Sequence, residues 1–288
     1  MGRRIEARLP FFYGWVIVAV AFVTMGVGVN ARTAFSLLFP PIVDEFGWAH
    51  GVTAGAFSFG FLVTAVASPF LGRLMDRRGT LARSIRTARF WWIAVGYLSG
   101  LYAWYAVQVH QTKYLVEIGF SASQAAWALG FVSLVAVPGQ IALGHLSDRI
   151  GREWVWTVGN LGFVLCYLSL LVLRHAPTPT LLAFMVVVQG LLGYGLVSVI
   201  GAIPADVFQG AHYGTILGSL MTSAIVGGAA GPWATGVMYD ASGSYTAPLA
   251  VAIGCSALSA ATIWLAAPRK VRAFAGWSVH SRRRSPSH

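Results

Sequence analysis

Charged residues are scarce in this sequence. Only 10% of its 288 residues are Asp, Glu, Lys or Arg, 57% are hydrophobic, and the mean hydropathy is +0.68. A soluble domain carries about 25% charged residues, so water could not solvate the surface of a fold built from this chain. The composition therefore predicts an all-α polytopic membrane protein whose main partner is the lipid bilayer.

Cysteines and enzyme motifs are also scarce. The two cysteines, Cys166 and Cys255, both lie within apolar runs, which favours small packing residues over a disulfide or a metal site. The sequence contains no G-x-S-x-G, no H-E-x-x-H, no phosphate-binding loop and no clustered metal ligands. We therefore predict a protein that is not an enzyme and that has no catalytic residue, metal or cofactor.

Long apolar segments are abundant, and a bilayer core needs about 20 residues of helix to cross it. Eight segments are predicted to span: 12–38, 52–72, 90–110, 122–143, 154–174, 180–203, 214–238 and 246–267. The first is too long for the apolar core of a signal peptide and lacks a clean cleavage site. We therefore interpret it as a first membrane helix.

The basic residues predict the orientation of these helices. If the N-terminus is cytoplasmic, 17 of the 20 Lys and Arg residues lie on the cytoplasmic side, and Lys113 and Arg174 lie outside. The positive-inside rule then predicts an inner-membrane protein with both termini in the cytoplasm. The net charge of +11 does not indicate a nucleic-acid partner, because these charges sit at membrane boundaries, where anionic lipid attracts them.

One motif, G-x-L-x-D-R-x-G, occurs twice, each time at the predicted cytoplasmic end of a helix. The first copy contains Gly72, Asp76, Arg77 and Gly79, and the second contains Gly144, Asp148, Arg149 and Gly151. The glycines permit close helix contact and a tight turn. The aspartate is suited to cap the next helix or to pair with a nearby arginine.

This motif resembles the loop signature of the major facilitator superfamily, which follows the second helix of each six-helix half. Other stretches resemble its bacterial monocarboxylate and oxalate/formate carriers: Arg32-Thr-Ala-Phe-Ser, Phe39-Pro-Pro, Val109-His110, and Gly227 to Pro232 followed by Tyr239-Asp240. The resemblance implies a secondary transporter of small organic anions that works by alternating access, with its site between the halves.

The spacing of the two copies departs from that family. They lie only 72 residues apart, so helices three to six of the pattern are predicted to be absent. The expected organisation is an N-terminal hairpin (1–79), a basic linker (80–89), a six-helix C-terminal half (90–268) and a basic disordered tail (269–288). The alternative is a non-transporting remnant, or a half-carrier that needs a partner.

A homo-oligomer or a partner subunit is accordingly a further expected contact. Small residues let helices approach closely in lipid. Gly26 with Gly28, and Gly227 with Gly228, are the faces predicted to mediate that contact.

Three residues are predicted to bind the substrate: Arg32, His110 and Gln140. Arg32 is a charge within a predicted span; it either contacts the anion through its planar guanidinium or snorkels to the outer headgroups. His110 either binds an anion or a proton, or is an interfacial hydrogen-bonding residue. Gln140 stands where the resemblance implies an arginine, and Gln189 is a weaker polar candidate. No carboxylate lies well within a predicted span.

Overall fold

The computed structural model describes residues 34–75, 84–208 and 213–266, without the side chains of 69–75. Within these ranges the chain is helical and contains no strand, which confirms the all-α prediction. The helices are α1 (34–46), α2 (His50–Met75), α3 (Ala88–Glu117), α4 (Ala122–Ile150), α5 (Arg152–Leu173), α6 (Pro179–Val207), α7 (Tyr213–Ser242) and α8 (Thr246–Ala266).

Six helices of the described part are long and apolar enough to cross a bilayer, namely α2 and α4 to α8. Helix α3 has the length, 30 residues, but its Tyr, Gln and His side chains make it less apolar. It is also the most enclosed helix, because α7 and α8 pack along it. The chain is therefore a multi-pass membrane protein, and the count of eight spans stays a prediction because residues 12–33 lie outside the described residues.

Helix α1 extends further than predicted. The sequence indicated a helix ending at residue 38 and then an outer loop, but the backbone is helical through residue 46 despite two consecutive prolines. Phe39 and Val43 explain the difference: they are four residues apart on one face and are both buried, Phe39 completely. Gly47 ends the helix with a positive φ of 62°, the conformation that favours glycine after a helix.

Helix α3 also extends past its predicted end at residue 110 and continues to Glu117. The polar run His110-Gln111-Thr112 suggested an exit from the membrane. All three side chains are instead buried, and each is hydrogen-bonded to another helix. The polar residues stay inside because their partners satisfy them there.

Helix α7 crosses α3 through glycines. A Cβ atom on Gly227 would overlap the backbone carbonyl oxygen of Leu98, and one on Gly231 would overlap that of Tyr102. The neighbouring Gly228 faces Phe61 and Tyr105. The prediction that Gly227 and Gly228 form an intermolecular contact was therefore wrong, because other helices of the same chain occupy this face.

The second copy of the sequence motif forms a one-residue turn. Gly151 alone separates α4 from α5, with φ at +112°, a conformation that favours glycine. Asp148 pairs with Arg152 at 2.6 Å, and Arg149 is exposed. In the first copy, Gly72 lies in α2, while Asp76, Arg77 and Gly79 lie outside the described residues.

The orientation of the helices remains to be tested by reporter fusions. A fusion after Arg272 is expected to report the cytoplasm, and one between Ile118 and Ser121, which connect α3 and α4, the opposite side. The reason is the one-sided distribution of basic residues. Alkaline phosphatase and green fluorescent protein fusions measure the two sides independently. A non-cytoplasmic signal at the C-terminal fusion would contradict the predicted orientation.

Candidate functional site

His110 lies in the interior where α1, α3, α7 and α8 meet. Its side chain is only 2% exposed, and Phe39 packs edge-on against its ring with centroids 4.7 Å apart. The ring Nε2 lies 3.0 Å from the Pro232 carbonyl oxygen, and Nδ1 lies 3.2 Å from the Tyr245 hydroxyl. A carbonyl only accepts, so Nε2 donates and Nδ1 accepts from Tyr245. A neutral imidazole is thus fully satisfied at this position.

Beside His110, three buried glutamines and a tyrosine hydroxyl form what we call the amide cluster: Gln108, Gln111, Gln189 and Tyr194. Gln111 Nε2 donates to Gln189 Oε1 at 2.9 Å, and Gln189 Nε2 returns the bond to Gln111 Oε1 at 3.0 Å. Gln108 Nε2 donates to the Tyr194 hydroxyl at 3.1 Å. The cluster therefore joins α3 to α6 through neutral hydrogen-bonding groups and contains no carboxylate.

The backbone of α6 is irregular where it meets this cluster. A π-turn spans Val188–Leu192 and a 3-10 turn follows over Gly193–Gly195, so Gln189 and Tyr194 both lie in the interrupted region. π-turns are rare and occur frequently at functional sites. The predicted span 180–203 gave no sign of this interruption beyond its glycines.

Helix α1 reaches the same region from the other side of α3. Ser36 Oγ lies 3.0 Å from Thr112 Oγ1 and donates to the Val109 carbonyl oxygen at 3.1 Å. Ser36 is 1% exposed. The first described turn of α1 is therefore hydrogen-bonded to α3 beside the face that carries Gln108 and Gln111.

The three residues predicted to bind substrate are not all brought together. Arg32 lies outside the described residues. Gln140, on α4, is half-buried, and its side chain makes no hydrogen bond within the described ranges, while its neighbour Gly139 packs against the backbone of Leu191. His110 bonds to Pro232 and Tyr245 instead of to the amide cluster, although its side chain and that of Gln111 line the same small cavity.

Gln108 and Gln111 were not predicted as site residues. Their spacing of three residues places them on one face of a helix, and two amides on one face of a membrane segment were a usable signal. Glu153 was also missed: it is fully buried in the first turn of α5, although its position suggested an exposed helix end. In the described residues, no group of three or more His, Cys, Asp or Glu side chains is placed to hold a metal ion.

Breaking the Gln111–Gln189 pair is expected to destabilise the bundle. Gln189→Leu leaves a buried amide without its partner, at a cost of about 1–3 kcal/mol. The double variant Gln111→Leu, Gln189→Leu should lose less stability than the two single variants lose together, because it leaves no unpaired amide. Unfolding midpoints in detergent measure both. Gln140→Leu is the matched control and should leave the unfolding midpoint nearly unchanged. Strictly additive stability losses in the double variant would contradict the pairing of Gln111 with Gln189.

Comparison with known proteins bears on the family of this chain. Residues 93–278 match the Major Facilitator Superfamily. The chain is also 30% identical over 166 residues to the multidrug resistance protein MdtG of Dickeya zeae (strain Ech586), an alignment that covers 47% of this chain and 39% of that relative. The chain thus aligns with about two fifths of the relative's length. Because the family match covers more than half of its residues, the chain belongs to the Major Facilitator Superfamily.

Proposed function

We propose that this protein is a secondary transporter of small organic anions, of the monocarboxylate type, that works by alternating access in the inner membrane. Family membership supports the transport part of the proposal. The anion part rests on Arg32 together with the neutral amide cluster, which contains no acidic side chain to oppose a carboxylate.

The observation that carries the proposal is the position of Ser36. It hydrogen-bonds to Thr112, the residue after Gln111 on α3. Arg32 precedes Ser36 by four residues in the sequence. An arginine binds a carboxylate through its planar guanidinium, in the bidentate geometry that such pairs favour.

Uptake into proteoliposomes tests this proposal. The purified chain is reconstituted, and the accumulation of labelled lactate, formate and oxalate is compared with that of lipophilic drugs. Drugs are included because the relative is called a multidrug resistance protein. Saturable uptake of a carboxylate supports the proposal, whereas saturable transport of drugs alone would overturn the substrate class.

A second candidate is a half-carrier that needs a partner, or a remnant that does not transport. The observation that favours it is the exposed apolar face of α4. Five large side chains at helical spacing are each at least half exposed: Trp127, Phe131, Leu134, Val137 and Ile141. Either lipid or the helices of a partner can cover such an apolar face. The missing helices expected from the spacing of the two sequence motifs point in the same direction.

The two candidates differ in what the chain does alone. A half-carrier is expected to purify as a membrane protein but to show no substrate-dependent uptake until a protein with a complete N-terminal half is added. Uptake that appears only on such co-reconstitution supports the second candidate. Saturable carboxylate uptake by the chain alone would exclude it and support the compact carrier.

A further inference from the structure

The amino end of α2 is capped by a residue from the far end of α7. Asp240 Oδ2 accepts from the backbone N–H of Gly51 at 2.9 Å, and Oδ1 accepts from that of His50 at 3.1 Å. The same Oδ1 lies 3.0 Å from His50 Nδ1. One carboxylate thus accepts hydrogen bonds from three donors that are about 190 residues away in sequence.

Helix α2 needs this external acceptor. The first backbone N–H groups of a helix have no partner within it, and the residue before α2 is Ala49, whose methyl side chain accepts no hydrogen bond. A carboxylate at a helix amino end also interacts favourably with the helix dipole. Asp240 therefore supplies, from another helix of the same chain, the capping oxygen that a Ser, Thr, Asp or Asn at position 49 would supply locally.

The backbones of α2 and α7 touch beside this cap. A Cβ atom on Gly236 would lie 2.6 Å from the backbone nitrogen of Gly51. Further along the pair, Ser58 Oγ donates to the Ala229 carbonyl oxygen at 2.6 Å, and near the other end Thr222 Oγ1 donates to that of Ala65 at 3.3 Å. The helices are thus joined at one end by a charge-assisted cap and elsewhere by small residues and hydroxyls.

We propose that Asp240 is a latch that holds the α1–α2 connection against the outer end of α7, and that its release opens the chain on that face while α2 pivots near Ser58. The cap involves an ionised group, and such hydrogen bonds are the strong ones. It is also the accessible part of the contact, since the Asp240 side chain is 31% exposed and that of His50 15%. The gating role rests on the proposed transport, whereas the latch itself does not.

Cysteine reporters test the latch without any transport measurement. Thr53 is 2% exposed, one turn inside the cap, and Ala65 is 4% exposed near the other end of the pair. Thr53→Cys and Ala65→Cys are made separately and labelled with a charged methanethiosulfonate in nanodiscs, where both faces are reachable. Adding Asp240→Ala is expected to raise the labelling rate at position 53 by about tenfold or more, and to leave position 65 unchanged.

Two further variants and one background control sharpen this outcome. His50→Ala keeps both backbone bonds to Asp240, so it should raise labelling at position 53 less than Asp240→Ala does. Asp148→Ala removes a carboxylate that is 64% exposed and paired with Arg152, away from the cap, and should change neither position. The chain without an added cysteine gives the background from Cys166 and Cys255.

An unchanged labelling rate at position 53 in Asp240→Ala would overturn the proposal that Asp240 is a latch. Equal increases at positions 53 and 65 would also overturn it, since they would show that the whole of α2 detaches instead of opening at one end. Because labelling does not depend on substrate, a chain that fails to transport but opens at position 53 would separate the failure of the proposed function from that of the latch.

Discussion

Replacing Gly227 with alanine is expected to destabilise this protein by about 3 kcal/mol. The new methyl group would overlap the backbone carbonyl oxygen of Leu98, and a backbone atom cannot turn away as a flexible side chain can. Helix α7 cannot shift to make room, because Gly231 meets the carbonyl of Tyr102 in the same way one turn later. The unfolding midpoint and the monodisperse fraction on size-exclusion chromatography, both in detergent, measure the loss.

Gly254 provides the matched control for this substitution. It is also a helical glycine, on α8, but a Cβ atom there would meet no heavy atom within 4 Å. Since alanine is favoured over glycine in a helix by about 1 kcal/mol, Gly254→Ala should be neutral or slightly stabilising. Equal stability of Gly227→Ala and Gly254→Ala would show that the crossing of α3 and α7 is looser than its geometry indicates.

The helical fold was predictable because hydropathy alone specifies the segments that lipid must surround. Seven of the eight predicted segments overlap a described helix over all or nearly all of their length, and the tight turn at Gly151 agrees with the sequence motif. Both features depend on local properties: a run of about 20 apolar residues and a glycine between two helices. Neither requires knowledge of what the helices contact.

The helix ends and the site were less predictable because they depend on partners distant in sequence. The polar run after Val109 indicates the end of a span only if its side chains need water, and Gln111 instead pairs with Gln189, 78 residues away. In the same way, Asp240 lies just beyond the predicted span 214–238, and nothing in the sequence indicates that it caps α2. A single sequence shows the hydrogen-bonding groups but not which of them meet.

Gly227 and Gly228 illustrate the same limit for apolar contacts. Small residues on a membrane helix indicate a close approach of another helix, but they do not specify whether that helix belongs to the same chain. Here the neighbours are α3 and, through Phe61, α2. The close approach was therefore predictable and the identity of the partner was not.

Replacing Arg32 with glutamine is expected to abolish carboxylate uptake in whichever form of the protein transports, alone or with a partner. A charged hydrogen bond contributes about 1.5–3 kcal/mol, so apparent affinity should fall by about ten- to a hundredfold, which removes uptake at substrate concentrations near the original KM. Arg32→Lys should weaken uptake less, since it keeps the charge and loses only the bidentate geometry. Initial rates of uptake over a range of substrate concentrations distinguish the three proteins.

Arg174→Gln is the control that removes the same charge from the same predicted side of the membrane. Arg174 donates to Ser244 and Thr246 at the start of α8, away from the amide cluster, so its loss should leave uptake intact. A second readout needs no transport: a carboxylate that binds the folded chain should raise its unfolding temperature, and Arg32→Gln should remove that shift. Normal uptake and an undiminished shift in Arg32→Gln would mean that the side chain snorkels to the headgroups, because an arginine that contacts the anion cannot be replaced by a neutral amide without loss of affinity.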